Sequence, residues 1–417
     1  MTLCLFEDAV VRHLEPLTLT RAAADLRIGA RTQVERLRML FPTEALAIHV
    51  RSYLAEVTAQ ENPDALVNPK ADGPVLLVNA RWIAERGDLA RRLQETPLNT
   101  AFLHNQTLVA AVIDQMPAAI RSGEFLRIED LGDVSREEVS REEGRTLRMA
   151  GRLTDLIADL EELLAADLGS EQFGQHDSAR IGAGVVLLAE EKIRLAKGVA
   201  IEPLTLLDAT SGPVVLEADV RVEAGAILRG PVWIGRGATV KAGARVDGSA
   251  IGPRCKVAGE VHGSVMHSLA NKAHAGYMGN SYLGRWCNLG AGTDTSNLKN
   301  NYGEISVYDA VANDLLPSGR QFAGLFMGDH SKCAIGTTFN TGTVVGVSSN
   351  VYGAAFPPQH IPSFAWGGAA GLQEYRLDKA LDVAETVMGR RDIPLTDADR
   401  EMLSTVFART AEARSGF

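Results

Sequence analysis

The stretch LEADVRVEAGAILRGPVWIGRGATVKAGARVDG, residues 216–248, decides the fold. Leu216, Val222, Leu228, Ile234, Val240 and Val246 recur in unbroken steps of six. Neither the 3.6-residue period of a helix nor the two-residue period of a strand produces such a row. A hexapeptide repeat does, and its physical meaning is a parallel β-helix. One apolar residue per step points inward on a flat face, and three faces close one coil. The position four residues after each inward residue is small or apolar (Val220, Ala226, Val232, Ala238, Ala244, Ala250), which lets the corner close. Glycine often follows the inward residue, where it relieves the turn. Stacked coils bury a continuous core.

The row extends in both directions. Ile181, Leu187, Ile193 and Val199 share the spacing upstream, and Ile251 and Val257 resume it after a slip of one. Leu283 and Leu289 continue it further on. The reading assigns 171–365 to the β-helix. Before it, 151–170 reads as an amphipathic connecting helix ended by Gly169. After it, 366–417 reads as C-terminal helices that cap the coil stack, the second N-capped by Thr396 or Asp397. Residues 1–150 mix short apolar strands (VLLVNA, TLVAAVI) with helical stretches, an α/β domain.

Composition narrows the function classes. The 417 residues carry a net charge of −10, which argues against a nucleic-acid groove. The four cysteines stand far apart without a CxxC pair, so neither a zinc knuckle nor a disulfide framework is expected. No apolar run approaches the roughly 20 residues that span a bilayer. The first residues lack a basic segment followed by a long apolar run. Together these point to a cytoplasmic protein without membrane partners. His262 and His267 form an HxxxxH pair, the kind a metal site on a β-helix uses, but no third histidine lies two coils earlier, and no metal is expected there.

The segment KAHAGYMGNSYLGRWCNLGAGT, residues 272–293, resembles the acetyltransferase half of the GlmU-like family of bifunctional sugar-1-phosphate nucleotidyltransferase/acetyltransferases. That family carries a KAxHxxYxG…NIGAGT pattern on a left-handed β-helix. The resemblance implies His274 as general base and Tyr277, Asn288 and Lys272 as substrate-binding residues. It implies a role for Arg245 in place of the family's upstream arginine. The following NLK makes Asn297 a candidate for the acetyl-CoA site, together with later coil edges at Thr337 in GDHSKCAIGTTFNTGTVVG. The implied chemistry is acetyl transfer to an amino sugar phosphate, in which a neutral imidazole takes the amine's proton. Where the family has a lysine pair that holds phosphate, this chain has VHGSVMH, residues 261–267.

The segment LEPLTLTRAAADLRIGARTQVERL, residues 14–37, is similar to the start of sugar-1-phosphate nucleotidyltransferases, with Arg21 among its matches as a substrate-binding candidate. The family's Gly-rich phosphate loop is replaced by FEDAVVR, its lysine by Ala23, and its metal-binding aspartate by Ala80. If the N-terminal domain is active, the resemblance implies Mg2+ and UTP or dTTP with a sugar 1-phosphate. It also implies a homotrimer. The alternative is a non-catalytic sugar-nucleotide sensor or scaffold built on a degenerate enzyme.

Overall fold

A computed structural model describes residues 1–70, 73–85, 87–142, 145–169 and 179–416. Residues 180–374 form a parallel β-helix of three faces. The first face opens with Arg180–Ile181, the second with Val186–Leu188 and the third with Ile193–Leu195. Each strand pairs in parallel with its counterpart one coil later; Leu216 meets Ile234, and Ile234 meets Ile251. The hexad residues point inward: Leu216, Val222, Leu228, Ile234, Val240 and Val246 are fully buried. The small corner residues Val220, Ala226, Ala238 and Ala244 are as well. The expected start of the coil at 171 lies outside the described residues. The stack ends in the antiparallel hairpin Ala365–Gly368/Gly371–Glu374, whose Leu372 packs on the coil core.

The coil falters between 271 and 332. On the first face, strand Asn271–Lys272 is followed only by a single bridge through Asn288 before Lys332–Cys333 resumes. This coil also carries an excursion with the hairpin Ser306–Asp309/Asp314–Pro317. The hairpin reaches the N-terminal domain, where Asp309 accepts from His13 Nδ1 at 2.6 Å.

The N-terminal domain is built on a seven-stranded mixed sheet. Thr2–Phe6 lies between Ala45–Ile48 and Val75–Asn79, parallel to both, and Thr107–Ile113 runs antiparallel to Val75–Asn79. The expected single connecting helix is broken: a 3-10 turn spans Leu153–Leu156 and an α-helix Leu160–Leu168. Asp159 between them has φ 49°, a left-handed backbone that an α-helix cannot contain. Both pieces keep their leucines, Leu153, Leu156, Leu160, Leu163 and Leu164, buried.

The domain docks sideways on the coil. The third face carries a second apolar row on its outside: Val215, Trp233, Val265, Tyr282, Phe326 and Val344. Leu14, Leu17, Leu26 and Ile28 of the N-terminal segment and the connector's leucines cover it. Side chains of this size each contribute roughly 1.5–3 kcal/mol when buried. Polar contacts fix the register of the two parts. Tyr282 Oη accepts from the Arg27 backbone N–H at 3.1 Å, and His267 Nε2 donates to the Asp25 carbonyl at 2.7 Å. Asp329, only 4% exposed, accepts from Thr20 Oγ1 at 2.8 Å and the Arg285 backbone N–H at 2.8 Å, and pairs with Arg21. Burial alone would raise the Asp329 carboxyl; the guanidinium charges of Arg21 and Arg285 outweigh it and hold it below its usual value.

The C-terminal helices do not cap the stack. Leu377–Gly389 and Asp397–Arg409 lie across the N-terminal domain and the coil's flank. Ala384, Met402, Leu403 and Val406 share one core with Leu37 and Leu54 and with Trp286 and Phe364 of the coil. The physical reason is that the last coil is already closed by its hairpin. Thr396 is the N-cap, with a reciprocal capping box to Asp399.

Removing a carboxylate that compensates a buried guanidinium leaves an uncompensated charge. Asp329→Ala should therefore lower stability by about 3–5 kcal/mol, read from chemical denaturation; a change below about 1 kcal/mol would show that the contact is incidental. Burial holds His330 down to about 3 and His360 down to about 4. Unfolded histidines take up protons near 6.5 while these stay neutral in the fold, so the unfolded state gains as pH falls. Their contribution should be intact above about pH 6.5 and be lost progressively from there toward pH 4. His360→Gln should reduce the slope of unfolding midpoint against pH in that window.

Candidate functional site

Register on the second face sets out two outward columns. Arg245, Glu260 and Tyr277 are aligned in one, and Asp247, His262 and Gly279 in the other. Above them the coil excursion brings Asn297, Leu298 and Arg320–Phe322 over the same face, and the connector supplies Ile157 and Asp159–Glu162 from the side. Between these walls lies a groove of about 830 Å³. Tyr277, Asn280, Asn297 and His262 all line it.

The polar floor of the groove is a hydrogen-bonded set. Asn297 Nδ2 donates to Asn280 Oδ1 at 2.7 Å and to Tyr277 Oη at 3.1 Å. The Tyr277 backbone N–H is held by Asp294 Oδ1 at 2.6 Å. Burial pushes the Tyr277 phenol up, against the lowering effect of Asn297, so it stays a neutral hydroxyl. Gly279 is a packing requirement: any Cβ there would collide with the Tyr277 hydroxyl and the Asn297 amide. The walls carry Asp159, Glu161 and Glu162 against one guanidinium, Arg320, among the described residues. That set can orient a polyhydroxylated ligand through amide and phenol dipoles while attracting a cationic group to its acidic side.

Tyr277 and Asn297 are thus brought together; the other sequence candidates lie elsewhere. His274 occupies the exposed corner between the first and second faces and does not line the groove. Its backbone carbonyl accepts from Lys272 Nζ at 2.6 Å. Lys272 is 1% exposed and points into the coil, at the inward position six residues after Met266 and six before Met278. Its ammonium ties the 274–275 corner, also reaching the Ala275 carbonyl at 3.1 Å, and burial lowers its pKa. Asn288 sits on the first face, its Oδ1 accepting from Asn271 at 3.4 Å. Arg245 is exposed and pairs with Asp247 at 3.2 Å. Thr337 fills a corner, donating to the Ala334 carbonyl at 2.9 Å. Arg21 is spent on Asp329 at the domain junction.

His262 and His267 lie on different faces: His267 is buried on the third face against Asp25, with burial holding it well below its usual value, while His262 opens to the groove. The groove's wall residues, Asp159, Glu161, Asn280 and Arg320, are what sequence reading passed over, and its imidazole, His262, was weighed there only as a metal ligand. For His262 the signal is present: it follows the inward Val261 as Gly279 follows the inward Met278.

At the C-terminal ends of the N-terminal strands, the positions that resemble a nucleotide site are filled from within. Glu7 is fully buried, accepting from the Ala23 N–H at 2.8 Å and pairing with Arg51 at 3.0 Å. Asp8 pairs with Arg81 at 2.6 Å and accepts from Asn79 at 2.8 Å. Ala80, where the family has an aspartate, is 2% exposed.

Residues 3–171 match the family model described as sugar nucleotidyl transferase. The chain is 26% identical over 195 residues to the bifunctional protein GlmU of Nitratidesulfovibrio vulgaris, covering 40% of this chain and 39% of that protein. It is 32% identical over 96 residues to a bifunctional sugar-1-phosphate nucleotidylyltransferase/acetyltransferase of Sulfurisphaera tokodaii, covering 23% of each. The chain spans less than half the length of these curated relatives. Among solved structures, the UDP-N-acetylglucosamine acyltransferase of Arabidopsis aligns with 57% of this chain and 91% of its own at 13% identity and a TM-score of 0.24. At that score the likeness adds nothing to the strand pairing that already defines the coil. Residues 3–171 thus match the sugar nucleotidyl transferase family model, and parts of the chain are similar to GlmU-type bifunctional proteins at low identity.

Proposed function

We propose that this chain is a transferase of sugar-nucleotide metabolism whose coil moves an acetyl group from acetyl-CoA to an amino sugar phosphate in the 830 Å³ groove. The observation that carries the reading is the Asn297–Tyr277–Asn280 set lying over Gly279 on the groove floor. Fixed amide and hydroxyl dipoles of this kind stabilise the oxyanion that forms when an amine attacks a thioester. The acidic connector wall faces the acceptor's ammonium, and Arg320 faces its phosphate. Asn297 and the later coil edge near Thr337 flank the path of the cofactor's arm. The resemblance assigns the proton-accepting role to His274; the groove itself holds a second imidazole, His262. His274 lies on an open corner that a second copy would have to cover, in keeping with a homotrimer. The compartment is the cytoplasm.

Magnesium-assisted nucleotidyl transfer does not fit the residues at the strand ends. Hard carboxylates are needed there, yet Asp8 is committed to Arg81 and Asn79, and position 80 is alanine. The filled strand ends favour, for the N-terminal domain alone, the second reading of a non-catalytic scaffold.

Thiol release from acetyl-CoA, followed with glucosamine 1-phosphate and with free amino sugars, tests the proposal. Amine-dependent release is expected, and Asn297→Ala should cut kcat/KM by about 10²–10³-fold. Absence of amine-dependent release across the panel would remove the reading. Arg320→Ala should raise KM for the phosphorylated acceptor about tenfold, the loss of a charge-assisted contact, and leave the unphosphorylated one unchanged.

A further inference from the structure

We propose that His262 is the proton-accepting residue of the groove, an inference that rests on the acyl-transfer reading above. His262 and Gly279 are register partners on adjacent coils, so their Cα atoms are separated by about the 4.8 Å strand spacing. Gly279 has no side chain, and the space above it is taken by the Tyr277 hydroxyl and the Asn297 amide. The imidazole of His262 therefore stands beside the one place in the groove where a phenol and a carboxamide converge. Gly263, the next residue, brings Asn280 equally close, because any Cβ there would meet the Asn280 amide. His262 is half-buried and lines the groove.

Its two ring nitrogens have no protein partner among the described residues, unlike those of His267, which are engaged by Ser268 and Asp25. A half-buried imidazole free of internal bonds is available for an exchangeable proton. The titratable and charged groups around it are Asp247, its register partner on the preceding coil, Tyr277 on the next coil, Asp159, Glu161 and Glu162 on the connector and Arg320 on the excursion.

The step balances as follows. The neutral amine nitrogen forms a bond to the thioester carbon, the C–S bond breaks, and the proton leaving nitrogen passes to the free ring nitrogen of His262. The imidazolium then returns that proton to the departing thiolate. The amide product and free thiol result, with no oxidant or metal consumed.

The test uses the full chain, acetyl-CoA and glucosamine 1-phosphate, with free glucosamine beside it. His262→Asn and His262→Gln should lower kcat/KM by about 10²–10³-fold, the usual contribution of a positioned general base. KM should change little, and the acidic limb of the pH–rate profile should flatten. Added imidazole should restore part of the rate to His262→Ala, which a purely structural role would not allow. Turnover by His262→Asn within threefold of the parent, with the limb intact and the loss confined to His274→Asn, overturns the assignment and leaves acyl transfer standing. No amine-dependent thiol release by the parent chain overturns the acyl-transfer reading itself, and this assignment with it.

Discussion

A buried carboxylate, Asp329, anchors the register of the two halves of the molecule, alongside the Tyr282 and His267 contacts. It takes Arg21 and Thr20 from the N-terminal segment and the Arg285 backbone from its own coil. An ion pair in such a place offsets its desolvation only when further hydrogen bonds complete it, and here they do. The pairing fixes the N-terminal segment along the third face, so that the broken connector lands beside the second face. The groove exists because of that placement. Its coil floor is common to any stack of hexads, but its acidic wall belongs to a connector held there by contacts some distance away.

The coil was legible because its cause is local and periodic. One inward residue every six, with a small residue four later, has no competing explanation, and Leu216 through Val246 fall inward without exception. The same arithmetic places Lys272 in the interior, between Met266 and Met278, and Thr337 in a corner like Val220 and Ala226. The resemblance implies ligand contacts for both; register turns the Lys272 side chain into the core and sets Thr337 in a corner.

The groove was less legible because it depends on how coils of unequal length align. His262 meets Gly279 only when the coil between them is counted strand by strand. The excursion that delivers Asn297 and Arg320 follows no repeat, and neither does the lateral docking of the N-terminal domain. The segment 14–37 resembles the start of sugar-1-phosphate nucleotidyltransferases, yet Leu14, Leu17, Leu26 and Ile28 are spent against the coil and Arg21 on Asp329. Burial of that segment and the absence of its phosphate loop are two sides of one departure from the family.

The apolar row outside the third face has a consequence for how this protein is made. Val215, Trp233, Val265, Tyr282, Phe326 and Val344 form a seam about as long as the stack. The partner that shields it emerges first from the ribosome, so the coil can cover its seam as each turn is laid down. A coil expressed by itself would present that seam bare, inviting coils to stick to one another. Cover for that seam comes from the N-terminal segment and the connector, whose leucines would themselves be bared without the coil.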